Sequence, residues 1–197
     1  MTRYFLINKP FDMLSQFTRE VPEHRVLGDL HEFPADVYPV GRLDRDSEGL
    51  LILTNDKRLN EALLHPSRKH PRSYWVQVEG VPTEEALNEL RKGVNIRIKG
   101  KLHHCAPAIP RLLTQAESQS IPDRDPPVRF RKSIPDTWME LQLTEGKNRQ
   151  VRRMCAAVGF PVLRLRRVAI EVLRLSDIGE GAVREVTKDW LLPKIGL

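Results

Sequence analysis

Cysteine is almost absent from this chain of 197 residues: Cys105 and Cys155 are the two, fifty positions apart. Such a pair makes neither a disulfide framework nor a CxxC metal clasp, and a reducing, cytoplasmic compartment is expected. Long hydrophobic runs are missing too. The longest purely aliphatic stretch, Leu50 to Leu53, is far short of the ~18 apolar residues of a membrane helix. Met1 leads straight into Arg3 and Tyr4 without a signal-peptide pattern. There is no Rossmann glycine pattern, no P-loop and no spaced cluster of metal ligands, so neither a nucleotide cofactor nor a metal is expected. His103-His104-Cys105 lacks the ligand spacing of a structural metal site and reads as a loop. No repeat or low-complexity tract interrupts the chain. With 40% hydrophobic and 29% charged residues, it has the composition of one folded domain spanning residues 1–197.

Charge is what the sequence has in excess, and it is concentrated. The net charge is +6, and Glu145 to Arg174 carries eight basic residues against two acidic ones, so that segment alone accounts for it. A local positive field of this kind suits a polyanion, because clustered Lys and Arg displace condensed counterions from phosphates. A merely solvated cationic face is the plainer reading of the same charges.

Periodicity predicts strands at Arg3 to Asn8, Tyr38 to Leu43, Leu50 to Thr54, Ser73 to Glu79, Trp138 to Thr144 and Val162 to Ile170. Val94 to Ile98 and Cys105 to Leu113 are weaker strand candidates. Helices are predicted over Asp56 to His65 and from Thr83 to a stop at Gly93. A third lies between Thr144 and its stop at Gly159 and Pro161, with Val151, Met154, Cys155 and Val158 as its apolar stripe and Arg149, Arg152 and Arg153 as a cationic one. Thr114 to Asp136 is polar and rich in proline, which reads as a long functional loop. The fold class is α+β, a largely antiparallel mixed sheet with a few helices on one side. Trp75, Trp138 and Trp190 are read as packing residues, and Cys155 as a small buried hydrophobe.

Gly41 to Asp56, GRLDRDSEGLLILTND, is the most informative segment. It sets a carboxylate, Asp44, at the end of an apolar strand between Arg42 and Arg45 and ahead of a glycine turn. Flanking guanidinium groups favour the ionised form, which suits a nucleophile or base rather than a proton donor. For an isolated Arg-Leu-Asp, a simple loop ion pair is the ordinary alternative. Asp44, Asp46 and Glu48 also invite comparison with paired glycosidase carboxylates, but arginine-rich surroundings do not suit the protonated partner that reaction needs.

The whole segment resembles the catalytic motif of pseudouridine synthases, GRLDxxTxGLLxLTND, in the RsuA-type branch that modifies bacterial ribosomal RNA. Its one departure is Ser47 where Thr is common. Three further blocks follow the family order: Asn8-Lys9-Pro10, Ser73 to Gly80 (SYWVQVEG), and Glu145 to Met154 (EGKNRQVRRM) with Gly159. The resemblance runs from about Tyr4 to Thr187. It implies two lobes around a central RNA-binding cleft and an aspartate mechanism without a cofactor. Residue by residue, it implies that Asp44 is the essential aspartate, that Tyr74 lies against the target base, and that Arg152 pairs with Asp44. Arg42 would help hold the flipped nucleotide.

A resemblance to the large-subunit subgroup that lacks an S4-like RNA-binding domain is carried by Pro126 to Pro135 with Trp138. The first family motif already begins at Asn8, so no N-terminal S4 domain is expected. The implied partner is large-subunit 23S ribosomal RNA, naked or partly assembled, met by Lys9, Arg42, Arg129, Arg131, Lys132, Lys147, Arg149, Gln150, Arg153, Arg164 and Arg166. Nothing in the sequence suggests an obligate dimer, and a monomer away from membranes is expected. The alternatives are a non-catalytic RNA-binding assembly factor on the same scaffold and a hydrolase that would release free uracil.

Overall fold

The computed structural model describes residues 1–128 and 134–197. The chain runs β1 (Tyr4–Lys9), β2 (Tyr38–Pro39), β3 (Glu48–Thr54), α1 (Lys57–Leu64), β4 (Arg72–Glu79), α2 (Glu84–Lys92), β5 (Asn95–Ile98), β6 (Lys101–His104), β7 (Ile109–Leu112), α3 (Gln115–Gln119), β8 (Asp136–Leu143), α4 (Gln150–Ala157), β9 (Val162–Ile170), β10 (Leu173–Arg174), β11 (Val183–Val186) and α5 (Lys188–Leu191). The α+β class expected from the sequence is the class observed. Among the described residues, no helix is long and apolar enough to cross a membrane. The chain divides into two compact units, Met1–Arg72 with Arg166–Leu197, and Ser73–Leu165.

The first unit is organised around β3, all seven residues of which are buried. Its continuous Leu-Leu-Ile-Leu run has the pattern of a strand covered on both faces. β1 pairs antiparallel along the whole of β3, from Tyr4 opposite Thr54 to Lys9 opposite Gly49, and β11 extends the sheet beyond β1. On its other edge β3 is shared: β9 pairs in parallel with Glu48 and Gly49, and β2 pairs with Leu53 and Thr54. Gly49, at φ +103°, is required here, because a Cβ at this position would overlap the Arg167 carbonyl oxygen. One face of the sheet packs Tyr4, Leu6, Leu50 and Ile52 against Leu59 and Leu63 of α1 and against Ile170, Leu191 and Ile195. Asp56 caps α1 through backbone N–H groups of Arg58 (3.0 Å) and Leu59 (3.3 Å).

In the second unit, β7 pairs antiparallel with β8, and β4 is next in order. Val76 and Val78 of β4 and Met139, Leu141 and Leu143 of β8 bury the alternate positions read from the sequence. They meet Leu87 and Leu90 of α2 and Val151, Met154 and Cys155 of α4. β5 and β6 form a separate hairpin closed by Lys99 and Gly100, both at positive φ, as a two-residue turn between twisted strands demands.

Three sequence expectations change at this level. The strand predicted over Tyr38 to Leu43 is only Tyr38–Pro39, because Gly41 turns the chain at φ +71°. The weak strand over Cys105 to Leu113 shortens to β7, and β6 appears ahead of it. The long polar stretch from Thr114 contains α3, held by a capping box in which Thr114 and Glu117 cap each other's backbone.

Candidate active site

Asp44 lies half-buried on the loop that leads into β3. Its carbonyl accepts a hydrogen bond from the Ser47 N–H at 3.0 Å, which folds Asp44 to Ser47 into a turn. Two interior side chains of the first unit hold that loop. Ser15 clamps Leu43 on both sides of its backbone: the Leu43 N–H donates to Ser15 Oγ at 3.0 Å, and Ser15 Oγ donates to the Leu43 carbonyl at 2.7 Å. Lys9, at the end of β1, is fully buried. Its Nζ donates to the carbonyls of Met13 at 2.7 Å, Pro10 at 3.0 Å and Arg45 at 3.4 Å, tying the turn after β1 to the Asp44 loop.

Burial pushes the Lys9 ammonium down to about 8, against the pull of Glu48, Asp46, Asp44 and Asp12 in the opposite direction. The structure thus places Lys9, expected to meet RNA, inside the first unit, where its ammonium is enclosed by three carbonyls. Arg166 is likewise an interior residue, with Nε 3.9 Å from Glu48 Oε2 and both side chains almost fully covered. Its neighbour Arg167 donates from Nε to the Leu50 carbonyl at 2.8 Å. Arg42 and Arg45 are exposed, and Arg45 pairs with Asp12 at 2.5 Å.

In the second unit, Tyr74 of β4 is partly buried and its ring packs on the core. Arg152 is half-buried on α4 and reaches the Val162 carbonyl at 3.4 Å. Arg149 caps α4 in the left-handed conformation at φ +50°, and it and Lys147 are exposed. Arg153 is committed to the Arg97 carbonyl at 2.5 Å and to Asn148 Oδ1 at 3.1 Å. Gln150 is buried. Its Oε1 accepts from the Lys147 N–H at 2.8 Å and its amide donates to Glu145, so it shapes the entry to α4. Arg164 is also covered, donating to the Pro122 carbonyl at 2.9 Å with its guanidinium 5.7 Å from the Trp138 ring centre. Arg129, Arg131 and Lys132 lie outside the described residues. Burial pushes the thiols up, to about 11 at Cys105 and about 12 at Cys155, so neither is built as a nucleophile.

Comparison with known proteins bears on this geometry. The sequence profile described as RNA pseudouridylate synthase matches residues 3–157. The chain belongs to that family. Relatives of this RNA pseudouridine synthase include the ribosomal large subunit pseudouridine synthase E of Xanthomonas axonopodis pv. citri, 53% identical over 174 residues and 88% of each chain. The protein of the same name from Vibrio parahaemolyticus is 44% identical over 184 residues, 93% of this chain and 74% of the relative. The RsuA-type resemblance drawn from the motifs is thus the relationship found. A solved pseudouridylate synthase shares the fold, with a TM-score of 0.77 at 24% identity over 99% of this chain and 74% of its own.

The matched stretch of the synthase holds Asp44, Tyr74, Arg149, Arg152 and Arg153 and stops before β9. Ser15 carried no expectation from the sequence, and Glu48 was weighed only as a carboxylate beside Asp44; both are polar and buried beside the Asp44 loop or strand. A serine on a turn carries no signal of its own, whereas the charge of Glu48 within an otherwise apolar strand was a visible sign of an interior partner. Glu145 was passed over too, although it gathers the Ala106 N–H at 2.9 Å and the Gln150 amide.

Proposed function

We propose that the enzyme isomerises one uridine of large-subunit 23S ribosomal RNA to pseudouridine, with Asp44 as nucleophile and without a cofactor. The observation that carries this reading is the construction of the Asp44 loop. A half-exposed carboxylate is presented on a short turn whose backbone is fixed from inside by Ser15 and Lys9. A loop serving only to connect strands has no need of a buried ammonium beneath it. The names of the E-type relatives support the large-subunit substrate.

The reaction breaks N1–C1′ of the uridine, turns the uracil and joins C5 to C1′. The C5 proton leaves and N1 gains one, so the product is an isomer and no outside reagent is consumed. Asp44 attacks or stabilises the sugar-derived electrophile. Tyr74 supplies a flat ring for the base and a phenol for proton traffic. Arg152 is assigned the pairing with Asp44 that the motif resemblance implies. The base must leave its stack, at a cost of roughly a few kcal/mol. Exposed Arg42, Lys147 and Arg149 offset part of this by contacting the RNA backbone, with Arg153 beside them. Lys9, Gln150, Arg164 and Arg166 act as internal supports.

Nucleoside analysis of RNA treated with the purified protein tests the reaction type. Pseudouridine should appear mole for mole with the uridine lost and with no free uracil. Release of uracil would make the protein a hydrolase, and unchanged nucleosides on both naked RNA and immature large subunits would make it a binding factor.

A further inference from the structure

His103 and Cys105 sit on alternate positions of extended chain at the end of β6, so their side chains fall on one side of the backbone. Glu145 reaches the same spot from the loop after β8. The imidazole nitrogen, the thiol sulfur and a carboxylate oxygen of these three all lie within 4.8 Å of one another. In sequence the third donor is forty residues from the second, so no ligand spacing announces the group.

The donors are prepared in a way that an ordinary ion pair does not require. Cys105 is fully buried. Glu145 Oε1 is engaged by the Ala106 N–H at 2.9 Å and by the Gln150 amide, which fixes the carboxylate plane and leaves Oε2 facing His103 Nε2 at 3.4 Å. That imidazole nitrogen is enclosed and makes no hydrogen bond. An enclosed nitrogen that sits beside a carboxylate without hydrogen-bond geometry is poorly satisfied, and a ligating carboxylate held by outer partners is the usual arrangement around a bound metal.

We propose that His103, Cys105 and Glu145 form a zinc site. The mixed sulfur, nitrogen and oxygen donor set suits zinc, whereas calcium and magnesium demand oxygen ligands. Tetrahedral zinc with bonds of about 2.0–2.3 Å holds its donors roughly 3.3–3.6 Å apart, so the widest pair, within 4.8 Å here, would close by up to about 1.5 Å on binding, through side-chain rotation and a small shift of the loop that carries Glu145. On binding, the thiol proton passes to solvent and the sulfur bonds the metal. Three protein ligands leave a fourth position for water on the side where His103 and Glu145 are partly exposed. The ion would clip the end of β6 to the segment entering α4, and so brace the helix that carries Arg152 and Arg153.

The test uses the full chain, dialysed against a chelator and then titrated with cobalt(II). One equivalent should bind with a thiolate-to-cobalt charge-transfer band, and zinc should displace it. The band should vanish in Cys105→Ser and persist in Cys155→Ser. His103→Gln changes a partly exposed side chain and keeps the test valid if the cysteine variants fail to fold. It should weaken zinc binding, measured by chelator competition, by about tenfold or more. Absence of the charge-transfer band in the wild-type protein, or zinc affinity unaffected by His103→Gln, would overturn the site and leave His103 and Glu145 as an ion pair.

Discussion

A lysine with every polar contact turned inward is an expensive way to end a strand, and Lys9 shows what it accomplishes. Its three carbonyl acceptors belong to the turn after β1 and to the loop holding Asp44. Replacement by methionine keeps the length and removes the donors, leaving three carbonyls to find other partners. A loss of about 2–3 kcal/mol in stability is expected, with turnover falling more than RNA affinity. Affinity lost with turnover intact would return Lys9 to the RNA interface. The pH dependence has a definite sign. The folded-state value near 8 lies below the ordinary 10.5, so between those values the unfolded chain carries a proton that the folded one lacks. Stability from this group therefore rises with pH across that window, and its penalty is complete below about 8. Chemical denaturation of the wild type against Lys9→Met across this window should show the slope only in the former; equal slopes would contradict the assignment. Exposed Arg149 is the contrasting case. Arg149→Ala should weaken RNA binding and lower its salt slope by about one, and an unchanged slope would remove it from the interface.

At the scale of elements, the tail of the Gly41 to Asp56 motif proves to be architecture. Thr54 Oγ1 donates to the Arg3 carbonyl at 2.6 Å, and Asn55 Oδ1 accepts the Arg3 N–H at 2.8 Å. Asp56 both caps α1 and accepts the Tyr4 hydroxyl at 2.8 Å. Burial raises the Asp56 value, but the hydrogen bonds from Tyr4, Leu59 and Arg58 outweigh it and hold the carboxyl below its ordinary range. Its stabilising effect is therefore present above that range and is lost as pH falls through the lowered value. Asp56→Ala should cost about 1–2 kcal/mol, read by thermal or denaturant unfolding, with the pseudouridine yield per folded molecule kept. Gly49→Ala is a harsher change, since it sets a side chain against the Arg167 carbonyl at positive φ. A loss of about 3 kcal/mol or more is expected; a neutral effect would mean the β3–β9 pairing yields easily.

The elements legible in the sequence were those with strong periodicity. β9 begins and ends where the pattern placed it, and α2 has both its Thr83 cap and its Gly93 stop. β6 escaped notice because Lys-Leu-His-His is largely solvent-facing and carries no alternation, while β11 and α5 lie in a tail of mixed polarity. The three arginines of the cationic stripe on α4 are covered to different degrees, Arg149 exposed and Arg152 and Arg153 half-buried. Arg153 donates to the Arg97 carbonyl, a contact that depends on a neighbour remote in sequence.

For the whole molecule, the two compact units each carry part of the proposed chemistry: Asp44 with its supports in the first, and Tyr74, Arg152 and the α4 cations in the second. Motif order made the family legible, while the burial of each cation was not legible from single residues. Burial sorts them, because Lys9, Arg164 and Arg166 have interior partners that only the folded chain supplies. The central claim is that Asp44 performs an isomerisation on one uridine of large-subunit RNA. The direct measurement is a nucleotide-resolution pseudouridine map of 23S ribosomal RNA and of immature large subunits, incubated with wild type beside Asp44→Asn. One new site should form with the wild type and none with the variant, while the variant still binds the RNA. The same site formed at comparable rate by Asp44→Asn would contradict it.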